Sequence, residues 1–386
     1  MKKNILAIDD TPTNLDFLLE FLEEYEVIDT VDGFDGLEIV KEEKIDLVLL
    51  DIVMPEIDGF EVCRRLKADP ETKDIPVIFL TSKTDSESIK TAFEVGAVDY
   101  VTKPFKKEEL LSRVNTHLKL SDQKSQLENL LYNIKSSIAY ASIIQEAIIP
   151  EKEILEKYFR ESFVFWKPRD LVGGDIYFIN ELNSGDEVLI MVIDGAGHGV
   201  SGAFVTMLVK AIESQIIAKI NSGKLEPSPA KILERFNVNL KTMLKQDKGS
   251  KSSAGFDGGI LYFNKKTGVC KFAGAKSNLL IKKDGDLEVI KSDRKNVGFP
   301  RTKITQTYTD HEIEISSGLQ LYLATDGFTD QEFENSTYGI KNFRDLLLES
   351  SNLSAEQQSK NIESEFKKIR GEKEQTDDVT VLGIRF

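Results

Sequence analysis

The chain has 386 residues, enough for two or three domains, and its 40% apolar and 30% charged side chains are the composition of a protein that buries cores in water. Its net charge is −15, unevenly placed: residues 1–120 hold 27 Asp+Glu and 15 Lys+Arg, a net of −12, which leaves −3 for the remainder. Neither part offers a basic face, so nucleic acid is not an expected partner. The absence of an 18-residue apolar run argues against a membrane span.

The opening MKKNILAIDD has too short an apolar stretch for a signal-peptide core, so a cytoplasmic protein is expected. Short apolar runs follow at NILAI (4–8), DLVLL (46–50), PVIFL (76–80) and AVDYV (97–101), with a further strand near 26–30. Between them, 12–24, 34–43, 59–68 and 85–95 have helical spacing. Strand–helix alternation predicts an α/β domain over 1–120, a five-stranded parallel sheet, doubly wound, with its ligands at the carboxyl ends of the strands. Residues 107–149 contain neither glycine nor proline and read as one long helix. Leu120, Leu127, Ile134, Ala141 and Ile148 recur in sevens, and Lys124, Leu131, Ile138 and Gln145 lie four residues after the first four. This heptad seam, with polar interruptions, predicts a helical linker over 121–150 that pairs in parallel with a second copy, a homodimer. Over 151–386, strands are expected at FVFW, EVLIMVID, GILYF, GVCKFAGA, NLLIKK, HEIEI, LQLYLAT and VTVLGI. Helices are expected near 199–221, 228–246, 340–350 and 354–370, giving an α+β domain. The segments 247–257 and 295–306 read as mobile loops. Cys63 and Cys270 fit no disulfide framework or thiolate metal site and read as reduced core thiols.

Three acidic residues end strands of the first domain: Asp9 and Asp10 after NILAI, Asp51 after DLVLL. In a parallel sheet they meet at one edge, where three carboxylates repel unless a cation sits among them, and Mg²⁺ suits hard oxygen ligands. Thr81 and Lys103 reach the same edge, a hydroxyl and an ammonium suited to a phosphoryl group. With the DD pair, LLDIVMPEIDG, the Thr of FLTS and VDYVTKPF, residues 1–120 resemble the CheY-like receiver domain of response regulators. The resemblance implies that Asp51 is the phosphoacceptor and that a sensor histidine kinase or phosphotransfer protein is the partner. It implies that Mg²⁺ is held by Asp10, Asp51 and the Val53 carbonyl with help from Asp9, that Lys103 pairs with the phosphate, and that Thr81 and Tyr100 form the switch pair.

The rest of the chain sets Asp beside Gly at Asp175 (LVGGDIYF), Asp194 (MVIDGAGHG) and Asp326 (YLATDGFTD). A fourth acidic site, Asp377-Asp378, precedes the last strand in QTDDVTVLG. Carboxylates converging from distant segments suit two hard divalent ions, and an all-oxygen donor set favours Mg²⁺ or Mn²⁺ over Zn²⁺. With KPRDLVGGD, DGAGHGVSGAF, FAGA, LATDGFTD and DDVTVLGI, residues 140–386 resemble the SpoIIE/RsbU-type phosphatases, a branch of the PPM family. The resemblance implies an αββα sandwich that removes phosphate from phosphoserine or phosphothreonine, commonly on STAS-type anti-sigma-factor antagonists. It implies that Asp194 bridges two Mn²⁺ or Mg²⁺ ions, that Gly195 offers its carbonyl, that Asp326 and Asp377 hold the second ion, and that Asp175 binds metal or orients its water. Asp377 is preferred to Asp378 as the first of the pair and, by strand alternation, as lying on the face of Val379 and Val381. His198 is assigned a structural role at a helix start. Ala196 and Lys276-Ser277 depart from the residues usual in relatives and leave the substrate open. The competing reading is a non-catalytic adaptor for a partner-switching protein, against which the complete aspartate set argues.

Overall fold

The computed structural model describes residues 2–82, 86–182, 185–246, 253–283 and 285–386; residue 85 of the expected helix and residues 247–252 of the expected loop lie outside them. The chain forms two compact units, Met1–Ile134 and Lys135–Phe386, which divide inside one continuous helix.

The first unit runs β1 (Asn4–Ile8), α1 (Pro12–Phe21), β2 (Glu26–Thr30), α2 (Gly33–Glu42), β3 (Leu47–Asp51), α3 (Gly59–Ala68), β4 (Val77–Thr81), α4 (Ser86–Glu94), β5 (Asp99–Thr102) and α5 (Lys107–Ala147). The sheet is parallel throughout, in the order β2-β1-β3-β4-β5. Its central strands are apolar on both faces because both faces are covered. Leu6, Val48, Leu50 and Phe79 pack on Val62, Cys63 and Leu66 of α3. Ile5, Leu47, Leu49 and Ile78 pack on Leu18 of α1 and Leu110 and Val114 of α5. Asp32 and Asp58 cap α2 and α3, each accepting from backbone N–H groups of the first turn. Cys63 and Cys270 are buried and form no disulfide.

In the second unit a 3₁₀ turn (Lys152–Lys157) leads into β6 (Glu161–Lys167), β7 (Asp175–Glu181), β8 (Glu187–Gly195), α6 (Gly199–Asn221), α7 (Pro229–Met243), β9 (Phe256–Asn264) and β10 (Cys270–Ala275). There follow β11 (Leu279–Lys283), β12 (Asp286–Ile290), β13 (His311–Ile313), β14 (Gln320–Ala324), α8 (Gly327–Asp330), β15 (Glu332–Phe333), β16 (Ser336–Thr337), α9 (Gly339–Ser350), α10 (Ala355–Arg370) and β17 (Val379–Arg385). One five-stranded sheet is ordered β13-β10-β9-β8-β7 and the other β12-β11-β14-β17-β6. Three apolar layers fix the α-β-β-α order. Val209, Ile212 and Phe236 of α6 and α7 meet Phe178, Met191 and Ile193. Ile190, Val192 and Leu261 face Leu321, Leu323 and Leu382 between the sheets. Phe163, Phe165 and Val381 meet Phe343, Ile362 and Phe366. Helix α6 is long and apolar enough to cross a membrane by length and composition, and in this fold that character serves the first of these layers.

Two of the sandwich strands are absent from the sequence expectation. β7 is buried over its first five residues and apolar on both faces from Ile176 to Ile179, so it has no period-2 signal. β12 is a short edge strand paired only through β11. The heptad seam also needs correction at its end. α5 stops at Ala147, Gln145 is almost fully buried in the second unit, and Ile148 packs on that unit's core.

Phe366 is fully buried, with its ring against Phe165 and Phe328. Phe366→Ala is expected to cost the second unit about 3–5 kcal/mol. Urea denaturation should lower that unit's transition and leave the transition of the receiver core in place.

Candidate functional site

The carboxyl ends of β1 and β3 bring Asp9, Asp10 and Asp51 together, with one carboxylate oxygen from each within 4.8 Å of the others. Asp9 is fully buried and accepts from Thr11 N (3.1 Å) and Asn14 Nδ2 (2.8 Å) through Oδ1. Lys103 Nζ lies 2.7 Å from Asp9 Oδ2 and 2.8 Å from Asp51 Oδ2. Burial pushes the Asp51 carboxyl above its ordinary range, and the Lys103 ammonium opposes the shift. The Lys103–Pro104 bond is cis. Thr81, the last residue of β4, is buried, and Val53 is exposed in the loop after β3. Tyr100 packs edge-to-face on Phe93 beneath the Arg113 guanidinium. The expected receiver residues therefore gather at one sheet edge, and the acidic trio with its lysine suits one hard divalent cation and a phosphoryl group.

In the second unit, antiparallel pairing sets Asp175, Asp194 and Asp257 side by side across β7, β8 and β9. Asp326 stands between β14 and α8, and Asp377 just before β17. A cavity of about 330 Å³ is lined by Asp194, Asp257, Asp326, Lys276 and Thr325. Asp175 lies behind it, buried, its Oδ2 accepting from Thr325 Oγ1 (2.6 Å) and Thr380 Oγ1 (2.7 Å). Burial, then repulsion from Asp175, Asp326, Asp377 and Asp257, pushes Asp194 up to about 9. Burial raises Asp175 well above the usual range against the pull of its two threonines, and it raises Asp326, with Asp330, Asp377 and Asp257 adding to the shift. Metal-free, these groups repel one another, and the Asp257 Oδ1 atom is buried without a hydrogen-bond partner. An all-oxygen set under such strain suits hard divalent cations.

Asp378 is committed to the scaffold: Oδ1 accepts from Arg169 N (2.7 Å) and Oδ2 from Gly174 N (2.6 Å). This leaves Asp377 as the more available of the pair. The alternation argument for it does not apply, because β17 begins only at Val379. Gly174 is a forced glycine, since a Cβ there would lie 2.3 Å from Gly197 O and 2.6 Å from Gly195 O. Gln145 of α5 bonds the neighbouring peptide in both directions: Nε2 donates to Gly173 O (2.7 Å) and Oε1 accepts from Gly173 N (3.0 Å). Nε2 also donates to Thr206 Oγ1 (2.9 Å). His198 sits exposed at the start of α6, does not cap it, and has Nδ1 3.5 Å from Asp170 Oδ2. Sequence reasoning missed Asp257 and Gln145. Asp257 carried the same Asp-Gly pair, in FDGGI, as Asp194 and Asp326.

The family description "Response regulator receiver domain" matches residues 5–115, and "Stage II sporulation protein E (SpoIIE)" matches residues 184–386, more than half of the chain. The chain belongs to the SpoIIE family, with a receiver domain ahead of the family domain. Asp175 and Gln145 precede the matched span. The solved SiaA-PP2C domain of Pseudomonas aeruginosa is 32% identical, with a TM-score of 0.59, over 67% of this chain and 98% of that one. A probable cyclic di-GMP phosphodiesterase of Vibrio cholerae is 48% identical over 126 residues, 32% of this chain and 29% of its own length. The DNA-binding dual master transcriptional regulator RpaA of Synechocystis is 42% identical over 121 residues, 31% of this chain and 50% of its own. The chain thus spans half or less of these two relatives, a length close to that of the receiver match.

The raised carboxyls give metal-free protein a signed pH dependence. Asp175 and Asp194 hold protons in the folded state that the unfolded chain releases above about pH 4. Their contribution to stability is therefore complete in acid and is lost as pH rises toward the folded value of about 9 for Asp194. After EDTA treatment, the melting midpoint of the second unit should fall across that window, and Mn²⁺ should raise it more at the alkaline end than at the acid end.

Proposed function

We propose that this chain is a response regulator whose output is a metal-dependent protein-serine/threonine phosphatase, controlled by phosphorylation of Asp51. The single observation that carries the reading is that Asp194 and Asp326 line one cavity while Asp175 and Asp377, from two further segments, lie close enough to repel Asp194. Two Mn²⁺ or Mg²⁺ ions held there would neutralise a phosphoryl group and activate water for in-line attack. Asp194 is assigned to both ions, the Gly195 carbonyl to one, and Asp326 and Asp377 to the other. Asp175, held by Thr325 and Thr380, would supply a further carboxylate to that pair of ions or to its water. Asp378 ties the Arg169 and Gly174 backbone to β17 and so keeps Asp175 in register with Asp194. His198, exposed and outside the cavity lining, is left to shaping the start of α6.

In the receiver, Asp51 accepts the phosphoryl group from a sensor histidine kinase or phosphotransfer protein. Asp10, Asp51 and Val53 O, with Asp9 alongside, would hold Mg²⁺, and Lys103, already paired with Asp9 and Asp51, would turn to the new phosphate. Thr81 and Tyr100 report the change to α5. Leu120, Leu127, Leu131 and Ile134 are exposed on that helix, which supports pairing with a second copy in a homodimer. A change in pairing reaches the phosphatase through Gln145, whose bonds to Gly173 hold the loop that leads into Asp175. The proposed substrate is a phosphorylated STAS-type regulatory protein, in the cytoplasm.

The test is phosphate release from candidate phospho-STAS proteins with Mn²⁺, with and without acetyl phosphate to load Asp51. Asp194→Asn should lower turnover by at least about 10²-fold. Binding of the phosphoprotein without any release, by wild type, would leave the adaptor reading in its place. Separately, two or four residues inserted next to Leu127 should leave basal turnover intact and abolish its response to acetyl phosphate. Unchanged regulation in both insertions would refute transmission through the helix.

A further inference from the structure

Two cationic side chains line the cavity that holds Asp194, Asp257 and Asp326: Lys276 and Arg344. Arg344 is engaged by the Leu287 carbonyl, to which its Nη2 donates at 2.6 Å. Lys276 stands at the other cation position, its side chain about half exposed and its Nζ 3.5 Å from Asp257 Oδ2. Asp257 is paired with Asp194 across β8 and β9. Side chains directly opposed in this way stand about 5 Å apart at Cβ, so the ammonium overhangs the carboxylate next to Asp194.

The backbone beneath this lysine is unusual. Lys276 has φ 54°, in the left-handed region where glycine is at home. Neighbours hold it there: Lys276 N donates to Asp293 O (2.8 Å) and Asp293 N to Gly274 O (2.9 Å). Bridges Gly258↔Lys276 and Ala275↔Asp293 close the same corner. A long cationic side chain kept at a strained, over-determined position on a cavity wall marks a site where function sets the residue.

We propose that Lys276 binds the phosphoryl group of the substrate, its ammonium donating to a non-bridging phosphate oxygen, with Asp257 holding the side chain over the cavity. The inference rests on the phosphatase reading and adds to it a substrate contact made by neither ions nor aspartates. A phosphomonoester dianion entering a cleft walled by carboxylates is repelled by them. The bound cations offset that repulsion, and an ammonium adds a directional, charge-assisted bond. As water attacks phosphorus and the bond to the serine oxygen breaks, the electron pair goes to the leaving oxygen, which takes up a proton in place of the one the water gives up. Lys276 stays on the phosphate and transfers no proton. The same contact then holds inorganic phosphate as product.

The test uses the full-length chain loaded with Mn²⁺ and reads binding apart from turnover. Calorimetry with inorganic phosphate should show at least a tenfold weaker dissociation constant for Lys276→Met, with Lys276→Arg recovering most of the loss and the Mn²⁺ affinity unchanged in both (about tenfold is the weight of one such contact). Turnover of a phosphoprotein should fall by about 10²-fold in Lys276→Met. Unchanged phosphate binding, or a loss that follows weakened Mn²⁺ binding, would overturn the proposal and leave Lys276 as a counterion of Asp257. Absence of turnover in wild type would sink the phosphatase reading alone, because the calorimetric comparison still decides whether Lys276 holds phosphate.

Discussion

Carboxylates crowded together out of water are the constraint on which both halves of this molecule depend. Each half gathers aspartates at strand ends, where desolvation and mutual repulsion favour the protonated form. The two sites answer the repulsion differently. The receiver carries its own cation: Lys103 sits within 2.8 Å of both Asp9 and Asp51. The phosphatase cleft gives its deepest carboxylate no such partner. Asp175 is held by two threonine hydroxyls, and Asp378 by two backbone amides. Neutral donors fix position without supplying an opposing charge, so the scaffold leaves the crowding of the carboxyl groups uncompensated.

That scaffold works by close backbone approach. Gly174, Gly195, Gly197 and Gly202 meet so tightly that a single Cβ at Gly174 or Gly202 would strike a carbonyl oxygen at 2.3 Å or less. The hydrogen bond from Gly195 N to Gly174 O, at 2.9 Å, ties the loop before β7 to the end of β8. Asp175 and Asp194, themselves opposed in the register, therefore move as one body. Gln145 grips the peptide at Gly173, one residue before this contact. The loop that sets the register of two aspartates is thus anchored by a side chain of the helix that begins in the receiver.

Much of this was legible in the sequence. The central receiver strands are buried on both faces, so DLVLL and PVIFL announce themselves as apolar runs, and the acidic and basic residues that follow them have no other edge to occupy. Glycine next to aspartate marked three of the phosphatase carboxylates, and at Gly174 and Gly195 it stands where backbone crowds the loop. What stayed hidden depends on pairing between distant segments. Asp257 becomes a neighbour of Asp194 only through the β8–β9 register, and it closed the segment 247–257 read as a mobile loop, although Phe256 and Asp257 in fact open β9. β7 lacked alternation because it is covered by helices on one face and by the second sheet on the other. Gln145 read as a polar break in a heptad, since periodicity records spacing and not the partner that a side chain meets.

The correction at Gln145 changes what the linker is. A heptad seam running unbroken to Ile148 would be a spacer, uniform along its length. The observed helix has two kinds of surface instead. Leu120, Leu127, Leu131 and Ile134 are exposed, while Gln145 is buried with three hydrogen bonds, and just past the helix end Ile148 packs on the phosphatase core. Burying an amide of this kind is favourable only while its partners are in place, because each unmatched donor or acceptor costs about 1–3 kcal/mol. The three bonds of Gln145 share one side chain, so its contacts to Gly173 and Thr206 stand or fall together. The helix thus joins a stretch of exposed apolar side chains to an amide fixed at the loop that leads into Asp175.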